Sequence, residues 1–329
     1  MKILFHNAPC GSGIEQVGYV FLLLLKKLGH DIDLWNIQCA NTESNVISKT
    51  TDDYDAVILN EAFPESFARI IQKESDRVWN ISHGGDKLPS FCKQLSLNYL
   101  NHRRFFDERR SENVTIPLTY PYSFRKEEFN SVRPLKFMFV GRWTPDKFNV
   151  QVKRFMEENN IRIDLACFSE VHPQYDFRSV VDRHVEGVDM NEIYRNLRST
   201  KFLLLPSTTE CISLVVGEAL TNGCIPIVLD TKEGEEHDQF MNCATAYSSG
   251  EFNEAMTVLG SRDISDIDRR KVFDLSNRMF SIDRSLAELK ALFGTGRGGN
   301  IRIMSNGRNN ISSFIPYINA TIITGEKIY

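Results

Sequence analysis

Short apolar runs separated by longer amphipathic ones set the rhythm of this chain. Residues 2–5 (KILF) read as a strand buried on both faces. The loop HNAPCGSG follows, then an apolar helical stretch over 14–28 closed by Gly29, then a strand over 31–35. Further apolar runs predict strands at 55–59, 77–82 and 113–118, with a helix over 97–110. Residues 119–134 are polar, hold Pro121 and Pro134, and read as a linker. A second series begins at Lys136, with strands predicted at 137–140, 162–168, 183–186, 202–205 and 225–229. Helices are predicted at 149–159, 190–197 and 212–222, and 266–293 reads as one or two more. Strand–helix alternation in two series argues an α/β protein with two parallel sheets, each covered by helices. The opening strand, Gly-rich loop, helix and strand are those of a Rossmann-like half, although Gly11, Gly13 and Gly18 do not fit the G-x-G-x-x-G order. Close backbone approach to a phosphate or an acceptor is the role this loop suggests.

The expected domains are 1–130, 131–293 and a tail, 294–329. In the tail, Gly294, Gly296, Gly298 and Gly299 give way to β-like runs at 301–304 and 320–324. A terminal hairpin, an oligomer contact and a partly disordered segment all fit that pattern.

Length and charge narrow the function classes. A chain of 329 residues is long enough for two separate cores. A net charge of −4 argues against a globally basic nucleic-acid binder. The seven cysteines are scattered without a Cys-x-x-Cys pair, which fits reduced, buried thiols and a cytoplasmic protein. MKILFHNAP lacks the apolar core of a signal peptide, and 19–25 is too short to span a bilayer. The basic–aromatic run HRRFFDERR, 102–110, has three readings. It is a solvated helix face, a peripheral contact with the cytosolic face of a membrane, or a contact with an anionic acceptor such as nucleic acid.

The densest chemistry lies in 202–230, a strand, loop, helix and strand whose loop opens onto a helix N-terminus, where free N–H groups favour an anion. Glu210 sits in the loop and Glu218 in the helix, roughly 12 Å apart along the axis. Two such acids could reach both ends of a nucleotide-sugar whose diphosphate lies at the helix start. They could equally be a dipole-favouring acid and a solvated helix acid. GRWTPDK adds Gly141, Arg142 and Lys147 at another strand end, two cations suited to a diphosphate that gains charge as a sugar leaves. Asp31-x-Asp33 and Asp266-x-Asp268 have metal-ligand spacing, but strand alternation and a charged helix surface already account for them.

The string Pro-Ser-x-x-Glu, seven residues, Glu-Ala, Asn-Gly-x-Pro resembles the C-terminal signature of the retaining GT-B glycosyltransferases of family four (glycosyl transferases group 1). GRWTPDK resembles their Gly-Arg-x-x-x-x-Lys motif, and His83, after a strand in the N-terminal half, stands where they carry a histidine. The resemblance covers about residues 1–290. It implies two Rossmann-like domains whose parallel sheets face across a cleft, with the acceptor on the first and the nucleotide-sugar on the second. It implies His83, Arg142, Lys147 and Glu210 as catalytic, and Gly11, Gly13, Gly141, Gly187, Ser213, Leu214 and Glu218 as donor-binding. The reaction implied moves a sugar from a nucleotide-diphosphate donor, a UDP-sugar favoured, to a hydroxyl of a saccharide or lipid-linked glycan. It calls for no cofactor and no metal. This chain departs from the family at Cys211-Ile212-Ser213, where Gly-Phe-Gly is usual. That departure keeps open a nucleotide-sugar binding protein of weak activity. An inverting GT-B transferase or a sugar-nucleotide epimerase is a further alternative.

Overall fold

The computed structural model describes residues 1–7, 13–36, 53–60, 77–82, 93–96, 115–122, 129–172, 175–208, 213–229, 245–247, 249–261 and 265–304. The chain divides into two units, Met1–Phe124 with Ser281–Tyr329, and Arg125–Phe280.

The first unit is built on β1 (Lys2–Asn7), α1 (Gly13–Lys27), β2 (Asp31–Asn36), β3 (Ala56–Asn60), β4 (Val78–Ser82), β5 (Lys93–Ser96) and β6 (Thr115–Pro117). The strands pair in parallel in the order β2-β1-β3-β4-β5-β6. β3 is buried throughout and β1 from Ile3 onward, as expected of strands with helices on both faces. β5 was not expected, because KQLS carries no apolar run.

In the second unit come β7 (Leu135–Trp143), α2 (Val150–Glu158), β8 (Leu165–Val171), β9 (His184–Glu186), α3 (Met190–Arg198), β10 (Thr200–Leu205), α4 (Leu214–Thr221) and β11 (Ile225–Leu229). β12 (Thr245–Tyr247), α5 (Ser249–Ser261) and α6 (Asp266–Met279) complete it. Its parallel sheet has the order β12-β11-β10-β7-β8-β9. Alternate residues of each strand feed opposite cores. Phe137, Phe139, Phe202 and Leu204 join Trp143, Phe148, Phe177 and Phe252 on one face, and Met138, Leu165, Leu203 and Ala219 form the other. Side chains start the helices: Asn149 Oδ1 accepts from Gln151 N at 2.7 Å, and Asp189 accepts from Glu192 N at 2.9 Å. Cys167 and Cys224 are buried free thiols, and burial pushes them up to about 11 and about 12.

The 266–293 segment is two helices, with Ser281 capping α7 (Ile282–Phe293). α7 lies in the first unit, although the sequence placed residues up to 293 in the second domain. There it packs on α1, Phe293 meets the Trp79 ring edge-on at 5.1 Å, and Glu288 accepts from the Thr119 N–H at 2.6 Å and its hydroxyl at 2.8 Å. The glycine-rich stretch then crosses the α1–β2 turn so closely that a Cβ on Gly296 would lie 1.9 Å from Gly29 O. Beyond it, β13 (Ile301–Met304) adds in parallel to β2, so this part of the tail is the edge of the first sheet. Residues 97–110 and 320–324 lie outside the described residues. Among those described, no helix is long and apolar enough to cross a membrane.

Candidate functional site

Numbered within their own unit, the strands of the second sheet run 3-2-1-4-5-6, with β7 first and β10 fourth. Connections leave these two neighbours in opposite directions, and ligands of α/β sheets bind beyond the carboxyl ends of the strands at such a switch point. GRWTPDK is the end of β7 and the turn after it, and PST follows β10. Strand order therefore brings together two motifs about sixty residues apart in the chain.

The β7 end is shaped for side-chain display. Its register against β8 shifts between Gly141 and Trp143, and a bulge of this kind re-aims the intervening residue. Trp143 is buried among Phe168 and Phe177, while Arg142 is exposed. A tight turn follows, with Lys147 N and Phe148 N donating to Thr144 O at 3.0 and 2.9 Å. Buried Phe148 anchors it, and Lys147 is half-buried beside it.

One carbonyl ties this turn to the β10 loop. Asp146 O accepts from Thr208 N at 2.8 Å, from Ser207 Oγ at 3.0 Å and from Thr208 Oγ1 at 3.1 Å. Asn149 N donates to Pro206 O at 3.0 Å. The Asp146 carboxylate turns the other way, to Arg142 Nη2 at 3.4 Å. Burial pushes its carboxyl up, but the Thr144 side chain, its own backbone N–H and the charges of Arg142 and Lys147 outweigh that and hold it below the usual carboxylate range. Asp146, Ser207 and Thr208 were missed as site residues. The sequence marked 207–209 only as turn and cap residues, and nothing local names the carbonyl they bind.

Ser213 begins α4, buried, and its side chain makes no capping bond to the helix. Leu214 is the first helical residue and is half-buried. Glu218 lies one turn on and is only 4% exposed, which removes the reading of a solvated helix acid. Tyr194 on α3 donates to its Oε1 at 3.5 Å. Gly187 follows β9 in the left-handed region at φ 64°, with its N–H on Phe168 O at 3.2 Å. Gly141, Arg142, Lys147, Ser213, Leu214, Glu218 and Gly187 all belong to this unit. Glu210 and Cys211-Ile212 lie outside the described residues.

In the first unit the switch point falls between β1 and β3. Gly11 and His83 lie outside the described residues, and Gly13 is the first residue of α1. At the strand ends Asn60 Nδ2 donates to Asn7 Oδ1 at 2.6 Å, both residues fully buried. A Cβ on Gly18 would come 2.2 Å from Asn7 Oδ1 and 2.4 Å from Asn60 Nδ2. Gly18 therefore makes room for an amide pair inside the protein.

Both Asp-x-Asp pairs have structural partners. Asp31 accepts from Gly299 N and Asn300 N, both at 3.2 Å, and Asp33 accepts from Tyr54 OH at 2.5 Å. Asp268 accepts from Ser265 Oγ at 2.8 Å, and Asp266 pairs with Arg269 at 3.5 Å.

No family model and no curated protein matches the chain. Solved structures match it along most of its length. A glycosyltransferase from Rickettsia africae ESF-5 aligns with a TM-score of 0.67 at 13% identity, over 88% of this chain and 97% of that one. Anabaena Alr3699/HepE in complex with UDP-glucose aligns with a TM-score of 0.64 at 11% identity, over 89% and 99%. The apo form of the lipopolysaccharide outer core galactosyltransferase WaaB aligns with a TM-score of 0.59 at 13% identity, again over 89% and 99%. Two Rossmann-like units, each on a wholly parallel sheet, thus give this chain the GT-B fold of those glycosyltransferases.

Proposed function

We propose that the protein is a retaining glycosyltransferase that moves a sugar from a nucleotide-diphosphate donor, a UDP-sugar favoured, to a hydroxyl of a saccharide or lipid-linked glycan. The observation that carries this reading is the junction at the second unit's switch point. There the loop bearing Arg142 and Lys147 is tied through Asp146 O to the loop that leads into α4, and Glu218 is buried in that helix. The Anabaena structures of the same fold hold UDP and UDP-glucose.

In this reading Arg142 and Lys147 hold the diphosphate, with the N–H groups at Ser213 and Leu214 beside it. Glu218 accepts from the ribose hydroxyls, and Gly187 leaves room at the base. Glu210 orients the sugar, and His83 is the further catalytic residue that the resemblance implies. The acceptor oxygen attacks the anomeric carbon from the face the diphosphate leaves. The carbon–oxygen bond to the diphosphate breaks, and the acceptor's proton passes to the departing phosphate oxygen. The charge that grows on this oxygen is what Arg142 and Lys147 stabilise. No protein nucleophile and no metal is required.

The test is a thermal-shift screen of nucleotides and nucleotide-sugars, followed by calorimetry and product analysis with the best donor. UDP binding that is weakened but still measurable in Arg142→Ala, with an α-linked product from an α-linked donor, supports the reading. Binding without transfer to any saccharide or lipid-linked acceptor favours the binding-protein alternative, to which Ser213 in place of glycine points. Absence of nucleotide binding refutes both.

A further inference from the structure

Asp146 puts a negative charge where an anion-binding loop needs positive ones. Its two polar groups do separate jobs. The carbonyl joins the β7 turn to the β10 loop, and any residue at this position would supply it. The carboxylate takes no part in that junction; it faces Arg142. The two side chains are 51% and 43% exposed and their contact is 3.4 Å long, so the pair is solvated and easily exchanged. The carboxylate is nonetheless ionised at neutral pH, for the reasons given above. A guanidinium binds carboxylate and phosphate through the same N–H fork, so the two anions contend for one set of donors.

We propose that Asp146 is a resident counter-anion, which holds Arg142 while no diphosphate is bound and competes with the diphosphate for it, so that nucleotide leaves faster. It is a positioning residue and touches no reacting atom. The inference rests on the donor-site reading above. In the empty site, Arg142 is kept near its working place by a weak partner. After transfer, the same carboxylate is at hand to take Arg142 back from the nucleoside diphosphate. Affinity for product is thereby lowered, and the cost falls where turnover gains from it.

The experiment is a double-mutant cycle on the full chain with UDP as the probe. Binding is measured by calorimetry and release by stopped flow, for wild type, Asp146→Asn, Arg142→Ala and the double variant. Asp146→Asn is expected to bind UDP roughly two- to fivefold tighter, the size an exposed pair can supply, with the gain in the dissociation rate. Its melting temperature stays at the wild-type value, because the carbonyl junction is intact. In the Arg142→Ala background the gain disappears. Asp146→Ser, which also keeps the carbonyl, repeats the result without an amide that could make a contact of its own. UDP binding that is unchanged or weaker in both Asp146 variants overturns the inference. So does an equal gain without Arg142, which would make the effect a general field and not competition for that side chain. If none of the proteins binds UDP, the donor-site reading itself has failed, and this inference with it.

Discussion

Arg133 is the perturbation that tests the framework of the second unit most directly. It is 5% exposed and donates Nε to Asn130 O at 3.0 Å, Nη1 to Leu197 O at 3.1 Å and to Thr200 O at 2.7 Å, and Nη2 to Asn222 O at 2.8 Å. Leu197 is in the last turn of α3 and Asn222 caps α4, so one buried cation satisfies two helix carboxyl ends and the start of β10. Desolvation lowers its pKa to about 10, which still leaves it charged at neutral pH. Arg133→Met keeps most of the aliphatic volume and removes every donor. Hydrogen bonds from a charged group contribute roughly 1.5–3 kcal/mol each, but the four share one side chain and do not add. The expected loss is roughly 3–5 kcal/mol, a non-additive total for buried carbonyls that cost about 1–3 kcal/mol each when left unsatisfied, out of the 5–15 typical of a domain. Arg133→Lys should lose less than Arg133→Met but still be destabilised, since an ammonium keeps the charge and some donors yet cannot span all these carbonyls. The assay is urea unfolding followed by Trp143 fluorescence, in a background with Trp35 and Trp79 replaced by Phe. Trp143 is the one tryptophan between Arg125 and Phe280 and is buried in the core of that unit. The midpoint should fall with the slope unchanged. A loss below about 1 kcal/mol for Arg133→Met would show that the carbonyls find water and that this hub does not hold the helices.

Three further outcomes are expected. Lys147→Ala should melt like wild type and lose roughly 10²–10³-fold in sugar transfer, measured by product formation; full activity would remove the diphosphate assignment. His6 is fully buried, and desolvation lowers its pKa from 6.5 to about 3. Between those values the unfolded chain binds a proton that the folded chain does not, so stability falls as pH drops from 6.5 toward 3, by at most about 1.4 kcal/mol per pH unit. Denaturation series at pH 7 and 5 should show this extra acid sensitivity in wild type and not in His6→Asn, and equal slopes would refute it. Gly296→Ala forces its Cβ onto Gly29 O and should release β13 from β2. Hydrogen exchange at Ile32, whose N–H donates to Asn300 O at 2.8 Å, reads this directly, and retained protection would show that the crossing can relax.

The second half was legible in detail because its signals are local. The runs at 137–140, 202–205 and 225–229 are buried on both faces, and each became a strand within a few residues of the expected bounds. The helices expected at 149–159 and 190–197 formed, and the side chains of Asn149 and Asp189 cap their starts. Less was legible where the segment is short and polar, as in β5, or where an element belongs with distant partners. Nothing within 266–293 says that its second helix returns to the first unit. That is decided by Thr119, Trp79 and α1, which are far away in sequence.

By itself, then, the sequence determined what short-range physics governs: which apolar runs are strands, where helices begin and end, and which glycines close them. Tertiary structure alone decided strand order, and strand order is what sets Arg142 and Lys147 beside the loop into α4. It also decided that Gly18 sits over an Asn7–Asn60 pair, that the 294–304 tail is a sheet edge, and that Glu218 is buried. The physical reason is the same each time. A backbone carbonyl such as Asp146 O or Asn222 O carries no sequence signature. Its partners are chosen only when strands separated by dozens of residues become neighbours.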